Sequence, residues 1–355
     1  MTATTRPPKQ EQLPATDGVI EVAPGILRLQ LPIAMPGLGH VNCYILEDER
    51  GIAVVDPGLP GPASWKELSD RLDAAGVPLR AIHTVVVTHS HPDHYGGARF
   101  LREETGADLL THRTFRNWFD PLEPDLDDTD DLLDPEPVPL ADPNVEALRE
   151  ALLHGRTPWG GPWHRISDRA EPEAMKWYAT PRPTIPVDDA DVVKLARRDW
   201  VAIHTPGHTP DHLCLFDPAN GVLLSGDHVL PTITPHIGGI GTGVDPLQSF
   251  LDSLADMHQL DGVTTVLPAH GQPFTDLGGR VDAIRDHHLE RLEKLREVGR
   301  DLDGDTVEAY SQRLFRERSW GPMAESETYA HLEHLHIAGR AERWEEHGFL
   351  HYRVG

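Results

Sequence analysis

His89, His91, Asp93 and His94 fall within six residues, in the run Thr88-His-Ser-His-Pro-Asp-His94. Imidazole and carboxylate groups crowded this closely repel or lie unsatisfied unless a cation such as Zn²⁺, Fe²⁺ or Mn²⁺ holds them. The run follows His83-Thr-Val-Val-Val87, short and β-branched like a buried strand, and precedes Gly96-Gly97 and a helical spacing from Phe100 to Thr105. A turn between strand and helix can aim several side chains at one point. A solvated histidine-rich loop is the competing reading in a chain with 22 histidines. The spacing favours the metal.

Three more short motifs sit at strand ends. Thr205-Pro-Gly-His208 follows Val201–His204, Ser225-Gly-Asp227 follows Val222–Leu224, and Pro268-Ala-His270-Gly follows Thr264–Leu267. Each is weak alone. Together they describe ligands converging on one edge of an α/β sheet, where such folds place their sites.

With these residues assembled, the chain resembles the metallo-β-lactamase-fold hydrolase superfamily, whose signature is H-x-H-x-D-H followed by a distant His, an Asp and a last His. The matching residues are His89, His91, Asp93, His94, His208, Asp227 and His270, and Asp56-Pro-Gly58 resembles the superfamily's first motif. The resemblance covers roughly residues 18 to 275. It implies an α/β fold, the four-layer αβ/βα sandwich. It also implies two divalent metal ions, Zn²⁺ first and Fe²⁺ or Mn²⁺ next. His89, His91 and His208 would hold the first ion, Asp93, His94 and His270 the second, and Asp227 would bridge them. Two cations about 3.5–4 Å apart can share one water and lower its pKa toward neutrality. Asp93 and Asp227 are therefore the expected catalytic carboxylates, Asp93 relaying the leaving group's proton.

The remaining sequence bounds the partners. A net charge of −25 argues against a nucleic-acid backbone or an anionic membrane surface as partner. Cys43 and Cys214 lie in apolar, strand-like surroundings and read as free buried thiols rather than a disulfide. The first 17 residues are polar and proline-rich without an apolar core for a signal peptide, and no stretch approaches 18 apolar residues. The expectation is a cytoplasmic protein with a disordered tail over 1–17.

A sheet domain is expected over 18–276, opening as an antiparallel meander, with an insertion at about 113–184. The insertion reads as a helical lid, with a clear helix at Asn144–Leu153 and a weaker second one near Pro172–Tyr178. It holds Trp118, Trp159, Trp163 and Trp177, half of the eight tryptophans, which either staple it down or line an apolar mouth. Nine acidic residues and no basic one between Asp120 and Glu136 read as a solvated loop. Residues 277–355 form a helical, winged-helix-like C-terminal domain, with helices at Arg280–Val298, Thr306–Arg316 and Glu325–Ala341 and a strand at Phe349–Arg353. From Asp301 onward it carries eleven Asp and Glu, six Arg and no Lys, so a structural or homo-oligomer contact is favoured over DNA binding. His331, His334 and His336 read as polar positions on a helix. His236, nine residues after Asp227 in a glycine-rich loop, and His40, before Val41-Asn42, are expected to border the mouth and touch substrate. The alternative for both is an ordinary loop histidine.

The chemistry this predicts is metal-dependent hydrolysis of a carboxylic ester, lactone or thioester, the substrate being a small molecule with an apolar acyl group. A phosphodiesterase or ribonuclease on the same metal pair, and a persulfide-type dioxygenase using one iron, are the alternatives.

Overall fold

Along β3 (Leu38–Glu47) successive side chains take opposite sides. Cys43 and Ile45 pack toward outer helices, whereas Tyr44 and Leu46 face a second sheet. This two-residue period with both faces buried is how a strand fills the middle of a layered fold. The computed structural model describes residues 9–35, 37–115, 155–162, 176–179, 182–239 and 243–355.

The first sheet runs β1 (Ile20–Ala23), β2 (Ile26–Met35), β3, β4 (Ile52–Val55), β5 (Ile82–Val86), β6 (Asp108–His112) and β7 (Ile185–Val187) in spatial order. Pairing is antiparallel as far as β4 and parallel from β4 to β7, as the meander followed by strand–helix alternation predicts. The second sheet contains β8 (Val192–Leu195), β9 (Arg198–His204), β10 (Leu213–Asp217), β11 (Val222–Gly226) and β12 (Thr265–Pro268), with only β11 and β12 parallel.

Tyr44, Val55 and Leu110 of the first sheet meet Trp200, Leu213 and Leu224 of the second in one buried cluster. Helices α1 (Pro62–Ala74) and α3 (Ala98–Thr105) cover the first sheet through Leu68, Leu72 and Leu101. Helices α4 (Pro246–His258) and α5 (Leu277–Asp301) cover the second through Leu247, Phe250, Leu254, Val281 and Ile284. The layers are thus helix, sheet, sheet, helix. Helix α4 starts where Asp245 accepts the Gln248 N–H (2.9 Å) and Pro246 takes the first turn. Its buried positions recur three and four residues apart, and truncating Phe250 to Ala would cost about 3–5 kcal/mol.

Helices α6 (Val307–Leu314) and α7 (Pro322–Ile337) and a small sheet follow, in the order β13 (Asp305–Thr306), β15 (Phe349–Val354), β14 (Ala341–Glu346). Tyr310, Leu332, Leu335 and Tyr352 join the same buried cluster as Phe216, Leu223 and Val266 of the second sheet. The C-terminal helices therefore share a core with the sandwich. The helix expected to run to Ala341 ends at Ile337, and Gly339 (φ 68) turns the chain into β14. The charged stretch there is a strand because its charges pair across the hairpin, Glu342 opposite Arg353 at 3.0 Å.

The N-terminal expectation needs correction from Lys9 onward. The carboxylate of Glu11 is buried and accepts the N–H groups of Thr232 (2.6 Å) and Ile233 (3.0 Å), which ties this segment to the loop after β11. Of the four insertion tryptophans, Trp118 and Trp163 lie outside the described residues, as does the expected helix Asn144–Leu153. Trp159 is buried against Tyr329 and donates to Glu325 (3.0 Å), and Trp177 packs on Phe100 with ring centres 4.5 Å apart. Both staple the insertion to neighbouring helices. Cys43 and Cys214 are free and buried. Among the described residues no helix is long and apolar enough to cross a membrane.

Candidate metal centre

Five chain segments leaving strand ends meet at one edge of the sandwich. Asp56 follows β4, the His89 run follows β5 into the one-turn helix α2 (Pro92–Tyr95), His208 follows β9, Asp227 follows β11 and His270 follows β12. His89, His94 and His270 are fully buried, and Asp93, His208 and Asp227 nearly so. Potential ligand atoms of His89, His91 and His208 lie within 4.8 Å of one another, as do those of Asp93, His94 and His270 and those of His89, His94 and Asp227. All seven residues singled out by sequence are brought together.

Hydrogen bonds on the far side of each ring fix which nitrogen faces inward. Asp56 accepts the Thr88 N–H (2.9 Å), the Thr88 hydroxyl (2.8 Å) and the Nδ1–H of His94 (2.9 Å). Thr88 Oγ1 in turn accepts Nδ1–H of His89 at 3.0 Å. Nδ1–H of His208 donates to the carbonyl of His236 (2.8 Å), and that of His270 to the carbonyl of His40 (2.6 Å). Every one of these four imidazoles therefore turns its Nε2 into the site, where a bound cation would find the lone pair. Such outer bonds are the ordinary support of metal-binding histidines.

Most of the inward atoms have nothing to bond. Nε2 of His94, His208 and His270 and Oδ1 of Asp227 are buried without a hydrogen-bond partner. Nε2 of His89 and Nδ1 of His91 stand 3.0 Å apart. Asp227 divides its oxygens, Oδ2 lying 3.5 Å from His208 and 3.7 Å from His94, Oδ1 lying 3.3 Å from His270. Asp93 Oδ2 approaches His94 at 3.6 Å and His270 at 3.5 Å. Orphaned lone pairs converging in a buried space are costly unless a cation receives them, so the donor set fits divalent metal.

The electrostatics agree. Among the described residues, every ion pair made by Asp56, Asp93 and Asp227 is to a histidine, so within them the site's positive charge comes from protonated imidazole or from bound cation. Burial pushes His94 down, but Asp93, Asp56 and Asp227 outweigh it and raise the ring to about 10. His270 is raised likewise by Asp227 and Asp93 against its burial. Burial, then neighbouring imidazoles, holds His89 and His91 well below the usual range. Burial works to raise Asp227, yet His270 and His94 keep it well below the ordinary carboxylate value.

His40 departs from expectation. It is buried, its Nδ1–H donates to the Leu13 carbonyl (2.8 Å) and its Nε2 accepts the Gly271 N–H (3.1 Å). Its ring has no capacity left for substrate, and its contribution is the carbonyl that orients His270. His236 keeps a side chain about a quarter exposed, 3.5 Å from Glu327 of α7. His212, beside the motif around His208, is a buttress that sequence reasoning passed over. Its Nε2 accepts the backbone N–H of Asp227 (2.9 Å) and its Nδ1–H donates to Thr205 (2.7 Å). The only sequence signal was its place in the strand-end segment. His331 lies on α7 as expected and is buried there, with His288 and Glu327 near it. His334 pairs with Asp245 at 3.0 Å.

A helix–sheet–sheet–helix sandwich with this ligand cluster at its strand ends defines a metal-binding hydrolase scaffold. A family model described as the metallo-beta-lactamase superfamily matches residues 36–302, and the chain belongs to that superfamily as a hydrolytic enzyme. A metallo-beta-lactamase family protein of Thermus thermophilus superposes with a TM-score of 0.76, 27% identical over 94% of this chain and 100% of its own. The "probable metallo-hydrolase YqjP" of Bacillus subtilis (strain 168) is 25% identical across 81% of this chain and 84% of its own length. An atrochrysone carboxyl ACP thioesterase of Aspergillus novofumigatus is 27% identical over 40% of this chain and 46% of its own.

Proposed function

We propose that the chain is a dinuclear metal hydrolase of a carboxylic ester, lactone or thioester, zinc being the first choice of cation. The observation that carries the dinuclear reading is Asp227, whose two oxygens face different imidazoles, Oδ2 toward His208 and His94 and Oδ1 toward His270. A carboxylate can serve two cations in this way and an imidazole cannot. His89, His91 and His208 would hold one, Asp93, His94 and His270 the other. Cations there would lower the pKa of a bound water toward neutrality and polarise a carbonyl oxygen.

The protein's own groups supply the rest. Asp93 turns Oδ2 to His94 and His270, which leaves Oδ1 to take a proton from the nucleophilic water and return it to the leaving group. Asp56 and the two carbonyls hold the imidazoles in the tautomers derived above, so little reorganisation is needed at the moment of reaction. His236, partly exposed beside the site, contacts substrate. Neither thiol competes as nucleophile, because burial raises both, Cys214 to about 12. The thioesterase relative supports carbonyl chemistry, and the net charge of −25 disfavours polyanionic substrates such as RNA.

The test is metal analysis joined to a substrate panel of lactones, aryl esters, acyl thioesters, bis-p-nitrophenyl phosphate and single-stranded RNA. About two metal ions per chain are expected, with kcat/KM on at least one carbonyl substrate well above that on the phosphodiester. Asp227→Ala should abolish that turnover while the fold persists. Efficient RNA cleavage lost in the same variant would instead establish the phosphodiesterase reading. A single iron with oxygen uptake on a persulfide would establish the dioxygenase.

A further inference from the structure

We propose that the C-terminal helices clamp the loop that orients His208, and that Glu327 on α7 is the positioning residue of this clamp. The inference rests on the metal-centre reading above and assigns part of that centre to residues about a hundred positions away in sequence.

The loop runs from Leu230 to Gly239. Its His236 carbonyl receives Nδ1–H of His208 at 2.8 Å, so the placement of one backbone oxygen determines where His208 aims Nε2. Its first half is held by Glu11, which accepts the Thr232 and Ile233 N–H groups, and by α5, and its second half is held by α7. Arg280 of α5 donates to the carbonyls of Leu230 and Ile233 (the latter at 2.5 Å). Ser326 Oγ of α7 accepts the Gly239 N–H at 3.1 Å. A Cβ at Gly239 would stand 2.2 Å from the Tyr329 ring, so loop and helix are in contact with no space between. Glu327, one position after Ser326, lies 3.5 Å from His236 Nδ1 and pairs through its other oxygen with Arg291 of α5. One carboxylate thus ties both helices to the residue whose backbone holds His208 and whose ring borders the site.

Glu327 also lies near His288 and His331, and those three residues offer potential ligand atoms within 4.8 Å. Their hydrogen bonds point away from a third metal. Nδ1–H of His331 donates to the Glu327 carbonyl (2.7 Å), so its Nε2 is the acceptor for Nδ1–H of His288 (3.1 Å). The guanidinium of Arg291, stacked over Phe315 at 4.5 Å, already supplies the positive charge beside Glu327. Three of its contacts are thus already made within the protein, and His288 Nε2 is left buried without a hydrogen-bond partner.

The experiment compares full-length wild type with Glu327→Gln, Glu327→Asp and Ser326→Ala. Hydrogen–deuterium exchange of residues 234–239 is measured on metal-free protein, and zinc affinity by titration against a chromophoric chelator. In Glu327→Gln we expect tenfold faster exchange in this loop, tenfold or greater weakening of one of two zinc-binding steps, and a KM raised more than kcat is lowered. Glu327→Asp should recover part of each effect. Ser326→Ala should reproduce the exchange change, which keeps the test decisive if Glu327→Gln does not fold. Wild-type exchange in both variants would overturn the clamp. So would a third zinc equivalent in wild type that His331→Ala removes, because Glu327 would then be a ligand. Failure of wild type to bind zinc at all would sink the metal reading alone, since the exchange comparison needs no metal.

Discussion

Asp56 shows how much of a metal centre can rest on a residue that holds no metal. It adopts φ 52, a left-handed conformation that Asp tolerates better than most side chains, and from there accepts three hydrogen bonds. Two of them, from Thr88 Oγ1 and His94, set the tautomers of His89 and His94, which the proposed function assigns to different cations. Asp56→Ala should therefore weaken both metal sites, by about 10–100-fold as second-layer losses commonly do. Titration of the metal-free protein with zinc would check this, and a loss confined to one of two binding steps would contradict the shared role. Asp56 was legible in sequence only as an Asp-Pro-Gly motif, its task hidden until Thr88 was placed beside it. The seven proposed ligands were legible because each stands at a strand end and four of them crowd into one turn. The carbonyls of His40 and His236 were not, since every residue has one and only the fold decides which is used. Glu327 was invisible for a related reason: its partners lie on three separated segments.

At the scale of elements, the one-turn helix α2 carries Asp93 and His94 and must stay pressed against the loop after β4 to keep His94 on Asp56. Gly96 permits that contact. A Cβ there would stand 2.0 Å from Pro60 N and 2.2 Å from Leu59 C, both backbone atoms that cannot swing aside. Gly96→Ala should cost about 1–3 kcal/mol of stability through overpacking. It should also pull Asp56 and His94 apart, so that zinc affinity falls by at least tenfold. A thermal melt and a zinc titration on the same preparation would measure both; a variant with wild-type melting and affinity would show that the loops separate without consequence. The Gly96-Gly97 pair was visible in sequence as the end of the metal motif, but the close approach behind it was not. The opening meander and the strand–helix alternation were readable from strand patterning, whereas the four-layer sandwich came from the family resemblance that the metal motifs carry. Strand β14 was not, because Glu342, Arg343, Glu345 and Glu346 leave only Trp344 as an apolar position across 342–346 until Arg353 is placed opposite Glu342.

For the molecule as a whole, pH sets two effects against each other. Acidification from neutral pH toward the pI of about 5.2 removes a net charge of −25 and with it the self-repulsion of the surface. It also protonates histidines that fold as neutral groups. Burial lowers His228 to about 3, burial and the stacked ring of His204 lower His112 to about 4, and burial and Arg291 lower His331 to about 4. Each takes up its proton near 6.5 in the unfolded chain. Between about 3 or 4 and 6.5 the unfolded state therefore binds more protons, so stability rises with pH across that window and is lost on acidification. At 0.15 M salt the surface repulsion is screened beyond about 8 Å, whereas buried imidazoles are not. The histidines should win, and the urea midpoint of metal-free protein should fall steadily from pH 6.5 to 4.5. His228 alone, packed at 5.1 Å against Phe250, accounts for a penalty on the order of a few kcal/mol across that range. His228→Leu should accordingly flatten the profile, losing less on acidification than wild type does. A midpoint that climbs as pH falls, in wild type at this salt, would mean that relief of surface charge dominates and that the buried histidines are not held neutral.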